Sequence, residues 1–129
     1  MKLWLLLVSA ALAAPLPGIP ADAELTVIPA RKAYLLPIRD NIMPPLVYLV
    51  RRGVKEAMDA KADLLVLDME TNGGRVDSTE EIIGILSQFK GETVTYVNRS
   101  AYSAGAFIAV ATQRIFMAPE SVIGAAAPI

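Results

Sequence analysis

The stretch Asp63-Leu64-Leu65-Val66-Leu67-Asp68-Met69 is a continuous apolar run with a charged residue at or near each end. Such runs are typical of strands that are buried on both faces of a parallel sheet. The next residues are Glu70-Thr71-Asn72-Gly73-Gly74-Arg75-Val76-Asp77, in which the adjacent glycines predict a turn. A helix-like pattern follows the turn, so this stretch predicts a strand, a turn and a helix in succession.

The same alternation extends to both sides of this stretch. It predicts three further strands, over residues 32–38, 93–97 and 114–117. It also predicts three helices, over residues 43–62, from a cap at Asp77 or Ser78 through Phe89, and over residues 104–111. Successive strands start about 30 residues apart, which is the size of a βαβ unit. We therefore predict an α/β fold of repeated β-α units with a mostly parallel sheet.

The composition excludes several kinds of chemistry. The 129 residues include no histidine and no cysteine, which rules out a Ser-His-Asp triad, a thiol nucleophile and metal sites built on these residues. The formal charge of -1 argues against a nucleic-acid partner, which needs clustered basic residues. A catalytic base in this protein would have to be a carboxylate, a lysine or a water that they activate. We predict no metal and no cofactor.

The N-terminal segment has the layout of a secretory signal peptide. A lysine at position 2 precedes an apolar run over residues 3–14, and prolines and an Ala-Asp-Ala pattern follow it. The run is shorter than the roughly 20 residues of a membrane span. We predict a signal peptide over residues 1–23, export from the cytoplasm, and one domain over residues 24–129.

Ligands of parallel sheets bind where loops leave the carboxyl ends of the strands, here predicted at residues 70–77, 98–103 and 118–128. In the first loop, Gly73 and Gly74 could direct backbone N–H groups at a developing oxyanion, although a tight turn also explains the pair. In the second loop, Ser103 starts a helix of small residues. It could be a nucleophile, with the N–H of Ala104 beside it, or simply a helix cap, the commoner role of such a serine.

The combination of these features resembles a known superfamily. A strand, Asn-Gly-Gly, a helix, a strand and Ser-Ala-Gly-Ala entering a helix are similar to the ClpP/crotonase superfamily, and most similar to membrane-bound ClpP-class serine proteases of the NfeD type. The resemblance extends from Lys32 to Ile129. The segments that carry it are Ile38-Arg39-Asp40-Asn41-Ile42-Met43-Pro44-Pro45, Leu67-Asp68-Met69-Glu70-Thr71-Asn72-Gly73-Gly74, Tyr96-Val97-Asn98-Arg99 and Ser103-Ala104-Gly105-Ala106.

The resemblance implies a serine endopeptidase with a Ser-Lys dyad. Ser103 matches the nucleophile, and Gly73 or Gly74, together with Ala104, matches the oxyanion hole. Substrate would lie extended beside the segment that includes Arg75 and Val76. The resemblance further implies apolar peptide segments of membrane-associated, stomatin-like proteins as substrates, an extracytoplasmic and membrane-associated location, and a homo-oligomer.

One departure from the family bears on the mechanism. The family's dyad lysine follows the nucleophile by a few tens of residues, but no lysine follows Ser103 in this chain. We therefore expect the chain to be the N-terminal part of a longer protease, with the domain incomplete at its C-terminus and inactive alone. Two alternatives remain: a non-catalytic domain that binds peptides in the same groove, and a crotonase-type acyl-CoA enzyme.

Overall fold

The computed structural model describes residues 31–127, which form an α/β fold. Its strands are β1 (Ala33–Ile38), β2 (Leu64–Thr71), β3 (Glu92–Tyr102), β4 (Arg114–Met117) and β5 (Val122–Gly124). They make one sheet in which β1 to β4 follow one another in order, and β5 also pairs with β3. All of these pairings are parallel. The predicted fold class is confirmed, while the predicted signal peptide lies outside the described residues.

Three helices cover one face of this sheet. They are α1 (Pro44–Asp59), α2 (Val76–Leu86) and α3 (Ala104–Val110). A sheet whose strands advance in sequence order through right-handed crossovers places every connecting helix on the same side. The core lies between the sheet and these helices, and it includes the fully buried side chains of Leu67, Val50 and Ile82. In the described range, no helix is both long and apolar enough to cross a membrane.

The opposite face of the sheet carries no helix among the described residues, which corrects one prediction. Side chains of β2 alternate between buried and half-buried, so β2 is fully covered on one face only. The apolar run of β2 suggested two covered faces because Leu64 and Val66 are as hydrophobic as their buried neighbours. On the uncovered face, Leu35 is 62% exposed and Phe116 is 53% exposed.

The predicted helix boundaries were partly wrong. Helix α1 ends at Asp59 rather than at residue 62, and α2 ends at Leu86 rather than at Phe89. Neither Asp77 nor Ser78 caps α2, because the helix already begins at Val76. The backbone N–H of Arg75 donates to the carbonyl of Ile42 at 2.8 Å, and this long-range bond fixes where the extended chain turns into the helix.

The predicted loop over residues 98–103 is also wrong, since β3 continues to Tyr102. Three residues of β3 lie opposite one of β2 between the pairs Met69–Val97 and Thr71–Ala101, which is a bulge. Ser100 to Tyr102 also pair with β5, a strand that falls inside the predicted loop over residues 118–128. The extended β3 carries the chain directly to Ser103.

Candidate active site

Ser103 is the single residue between β3 and α3, and its backbone is strained. Its φ of 51° and ψ of -116° lie where residues with a side chain are rarely found. Such a conformation costs about 1–3 kcal/mol and persists where the surrounding structure enforces it. Part of this enforcement comes from β5, because the N–H of Ser103 donates to the carbonyl of Gly124 at 2.9 Å.

The Ser103 side chain does not act as a helix cap. Ser103 occupies the cap position of α3, but its side chain makes no capping hydrogen bond. Its Oγ has no hydrogen-bond partner anywhere in residues 31–127. The commonest structural role of a serine at a helix start therefore does not account for this hydroxyl. Strained serines at sharp strand-to-helix turns are a recurring way to present a nucleophile.

Gly74 forms an isolated parallel β-bridge with Ile42. The N–H of Ile42 donates to the carbonyl of Gly73, and the N–H of Arg75 donates to the carbonyl of Ile42, both at 2.8 Å. Polar groups of successive residues in an extended chain point to opposite sides. The N–H and C=O of Gly74 therefore face away from Ile42, and neither has a partner in the described part of the chain.

The glycine segment and the Ser103 turn lie against each other. A Cβ built on Gly73 would lie 2.7 Å from the Cβ of Ser103 and 3.3 Å from the backbone nitrogen of Ala104. Ala104 is the first residue of α3, where backbone N–H groups lack helical partners, and its N–H makes no hydrogen bond within residues 31–127. Ser103, Gly74 and Ala104 thus lie at one junction, where the N–H groups of Gly74 and Ala104 are both unpaired within the described residues.

A cavity of about 270 Å³ opens at this junction. Its walls are mostly apolar, with Val76 and Ile83 from α2 on one side and Phe107 from α3 on the other. Phe107 is 43% exposed, so the cavity is open to solvent. The remaining lining residues are Gly74, Thr79, Glu80, Ser103, Ala104 and Ala127. A pocket of this composition suits an apolar side chain.

The structure brings together most of the site residues predicted from the sequence. Gly74, Val76, Ser103 and Ala104 line the cavity, and Gly73 lies directly behind Ser103. Arg75 does not line it. Sequence reasoning missed the rest of the lining. Steps of three and four from Val76 along α2 could have revealed part of it: Thr79, Glu80 and Ile83.

Arg75 is held at the edge of the site by an ion pair. Its guanidinium donates to both carboxylate oxygens of Asp77, at 2.9 and 2.6 Å. These bonds, and a further bond from the N–H of Ser78, lower the pKa of Asp77 to about 2. The same pair raises the pKa of Arg75. Asp77 lies in the first turn of α2, where the helix dipole also favours a negative charge.

This pKa shift predicts a pH-dependent contribution to stability. Because the pKa is lower in the folded chain than in the unfolded chain, ionised Asp77 stabilises the fold above about pH 4. The contribution is lost as the pH falls through the folded value of about 2. We expect Asp77→Asn to lower the urea midpoint at pH 6 and to differ much less from the wild type at pH 2, where half of the folded Asp77 is protonated. An equal difference at both pH values would contradict this origin.

No lysine in the described part of the chain is placed to act as the base. Lys32 donates to the carbonyl of Ala60 at 2.8 Å, while Lys61 and Lys90 are exposed. Lys55 is bonded to Asp59, which raises the pKa of the lysine, opposite to the direction that a neutral base requires. All four of these lysines are exposed to solvent.

Comparison with known proteins assigns the family. Residues 32–129 match the family described as NfeD1b, N-terminal domain. The chain is 37% identical over 94 residues to the membrane protein NfeD1b of Bacillus subtilis, covering 73% of this chain and 22% of that protein. It is 36% identical over 81 residues to the membrane-bound protease PH1510 of Pyrococcus horikoshii, covering 60% of this chain and 18% of that protein. The chain thus spans about a fifth of these curated relatives.

Solved structures agree with this assignment. The 1510-N membrane-bound stomatin-specific protease, solved as a lysine-to-alanine mutant with a substrate peptide, superposes with a TM-score of 0.73 at 30% identity. The match covers 79% of this chain and 48% of that one. ClpP1 of Listeria monocytogenes has the same fold, with a TM-score of 0.69 at 18% identity over 74% of this chain and 57% of that one. The chain belongs to the NfeD1b N-terminal domain family and has the fold of a ClpP-like protease domain.

Proposed function

We propose that the chain is the N-terminal part of a serine endopeptidase domain whose nucleophile is Ser103. The observation that carries this proposal is the meeting of an unpaired hydroxyl and two unpaired N–H groups, those of Gly74 and Ala104, at one apolar cavity. A nucleophile beside preorganised N–H donors is the arrangement that acyl transfer requires. The protease relatives support the same chemistry.

In this mechanism, the Oγ of Ser103 attacks the carbonyl carbon of the scissile peptide bond. The N–H groups of Gly74 and Ala104 stabilise the negative charge that forms on the carbonyl oxygen. A lysine beyond residue 129 takes the hydroxyl proton and delivers it to the leaving amine, as in the Ser-Lys dyad implied by the family resemblance. Water then hydrolyses the ester on Ser103 and regenerates the hydroxyl.

The proposed substrate is an extended apolar peptide. It would pair as an added strand with the free edge of Gly74, beside Arg75 and Val76, and place one apolar side chain in the cavity. A relative of known structure is named stomatin-specific and was solved with a substrate peptide, which supports peptide segments of stomatin-like membrane proteins. The relatives are membrane proteins, so we propose an exported, membrane-associated protein.

Self-association belongs to the same proposal. The uncovered sheet face exposes Leu35 and Phe116, and β1 is an open edge of the sheet in the described residues. Exposed edges and apolar faces favour association between copies. The molar mass measured by light scattering across a range of protein concentrations would test whether the chain forms a homo-oligomer.

Catalysis and peptide binding can be separated by comparing the 129-residue chain with the full product of its natural gene. We expect the chain alone to bind a fluorescent peptide that carries an apolar segment and to leave it intact. The full product should bind and cleave the same peptide, while neither should bind a control peptide whose apolar segment is replaced by serines. The missing base is the reason for the difference.

Each other outcome favours a different function. If the full product binds the peptide without cleaving it, the result would support the non-catalytic peptide-binding domain. No lysine among the described residues lines the cavity, which also favours this alternative. Turnover of an acyl-CoA thioester without peptide cleavage would support the crotonase-type enzyme, whose acidic catalytic residue would be Glu80 at the cavity wall. Absence of both binding and turnover would contradict the proposal.

A further inference from the structure

Thr71 is a buried polar residue at the end of β2, and the mechanism above does not use it. Its exposure is 3%. Its hydroxyl donates to the carbonyl of Asp40 at 2.8 Å and accepts a bond from the N–H of Gly73 at 3.1 Å. Thr71 thereby connects the segment between β1 and α1 to the glycine segment next to Ser103.

The bond to Gly73 separates the roles of the two glycines. The N–H of Gly73 is occupied by the hydroxyl of Thr71, whereas the N–H of Gly74 has no partner in residues 31–127. Gly73 also has a φ of 103°, a backbone conformation that favours glycine. Of the two glycines, therefore, only Gly74 has an N–H available to bind an oxyanion.

The methyl group of Thr71 lies next to a second part of the site. A Cβ built on Gly105, the second residue of α3, would lie 2.4 Å from the Cγ2 of Thr71. Gly105 follows Ala104, whose N–H is the other unpaired donor near Ser103. The hydroxyl of Thr71 therefore holds one donor segment, and its methyl group packs against the other.

We propose that Thr71 is a positioning residue of the oxyanion site: its hydroxyl holds Gly73 so that the N–H of Gly74 points at the substrate carbonyl. This inference rests on the proposed function. Preorganised donors are effective because they need no reorientation during the reaction. Without the Thr71 hydroxyl, Gly73 would lose a hydrogen bond. The N–H of Gly74 would then no longer be held in one orientation.

The test compares Thr71→Val, which keeps the shape but lacks the hydroxyl, with Thr71→Ser, which keeps the hydroxyl. In the full gene product, we expect Thr71→Val to lower kcat for peptide cleavage about 10- to 100-fold while KM changes less than about 3-fold. Thr71→Ser should retain kcat within about 3-fold of the wild type, because the hydroxyl is what positions Gly73.

A matched control separates positioning from general destabilisation. Thr95 is fully buried in β3, and its hydroxyl is hydrogen-bonded to that of Thr112 at 3.0 Å. Thr95→Val thus removes a comparable buried hydroxyl away from Ser103, and it should leave kcat unchanged. Equal losses of kcat in Thr95→Val and Thr71→Val, or none in Thr71→Val, would overturn the proposal.

A second measurement does not depend on catalysis. In the 129-residue chain, amide exchange followed by NMR should find the N–H of Gly73 protected in the wild type and in Thr71→Ser, and unprotected in Thr71→Val. The N–H of Gly74 should exchange rapidly in all three. Protection of Gly73 that survives Thr71→Val would overturn the positioning role even if no peptide is cleaved. If the amide exchange of Gly73 and Gly74 is as expected but the wild-type full gene product cleaves no peptide, the proposed protease function would instead be contradicted.

Discussion

Replacing Ser103 with alanine is expected to lower peptide cleavage by the full gene product about 10³-fold or more, because no acyl intermediate can form. The thermal midpoint should remain close to that of the wild type, since the Oγ of Ser103 makes no hydrogen bond with residues 31–127. Peptide affinity should also remain, because the cavity walls are unchanged. Cleavage and fluorescence anisotropy with the same peptide measure both quantities.

Two companion variants make this result specific. Ser87→Ala removes an exposed hydroxyl that bonds to the carbonyl of Gly84, and it should leave cleavage unchanged. Ser103→Gly should be as inactive as Ser103→Ala but without the strain of a positive φ. If Ser103→Ala retained a tenth or more of wild-type cleavage, Ser103 would not be the nucleophile.

Replacing Gly73 with alanine is expected to damage both stability and cleavage. The φ of 103° is unfavourable for alanine, and the new Cβ would lie 2.7 Å from the Cβ of Ser103 and 2.9 Å from the carbonyl oxygen of Tyr102. We expect a loss of about 1–3 kcal/mol in the free energy of unfolding from the backbone strain alone. Cleavage should fall about 10²-fold or more because the oxyanion donors are displaced.

Gly84 provides the matched control for this glycine substitution. Gly84 lies within α2, its φ is not positive, and a Cβ built on it has no atom within 4 Å. Gly84→Ala should stabilise the chain by about 0.5–1 kcal/mol through helix propensity, without changing cleavage. Urea unfolding and peptide cleavage measured on both variants test the contrast. A Gly73→Ala variant as stable and active as Gly84→Ala would contradict the geometry assigned to the turn.

The order of strands and helices was predictable because the hydrophobic pattern is local. The apolar run of β2 and the spacing of apolar residues in α1 each predict their element without reference to the rest of the chain. Boundaries set by distant contacts were not predictable in this way. The end of β3 depends on the pairing of Ser100 to Tyr102 with β5, which the polar sequence Asn98-Arg99-Ser100 gives no reason to expect.

The site was predictable in part for the same reason. Gly73, Gly74, Ser103 and Ala104 were selected on local grounds, as glycines at a turn and a serine at a helix start, and by resemblance to a family. The other residues that line the cavity could not be selected on local grounds. The side chains of Ile83 and Phe107 come together only when α2 and α3 pack on the same sheet face. The ion pair between Arg75 and Asp77 was not predictable either, since it depends on where α2 begins.

The sequence by itself determined the α/β class, the absence of histidine and cysteine chemistry, and the order of the glycine pair and the serine along the chain. These depend on composition and on short-range periodicity. The tertiary structure decided which backbone groups remain unpaired at the site. The N–H of Gly73 is satisfied by Thr71 and that of Gly74 is not, because hydrogen bonds to Thr71 and Ile42 fix the orientation of this segment. A residue type carries no information about such long-range partners, so only the folded chain could assign them.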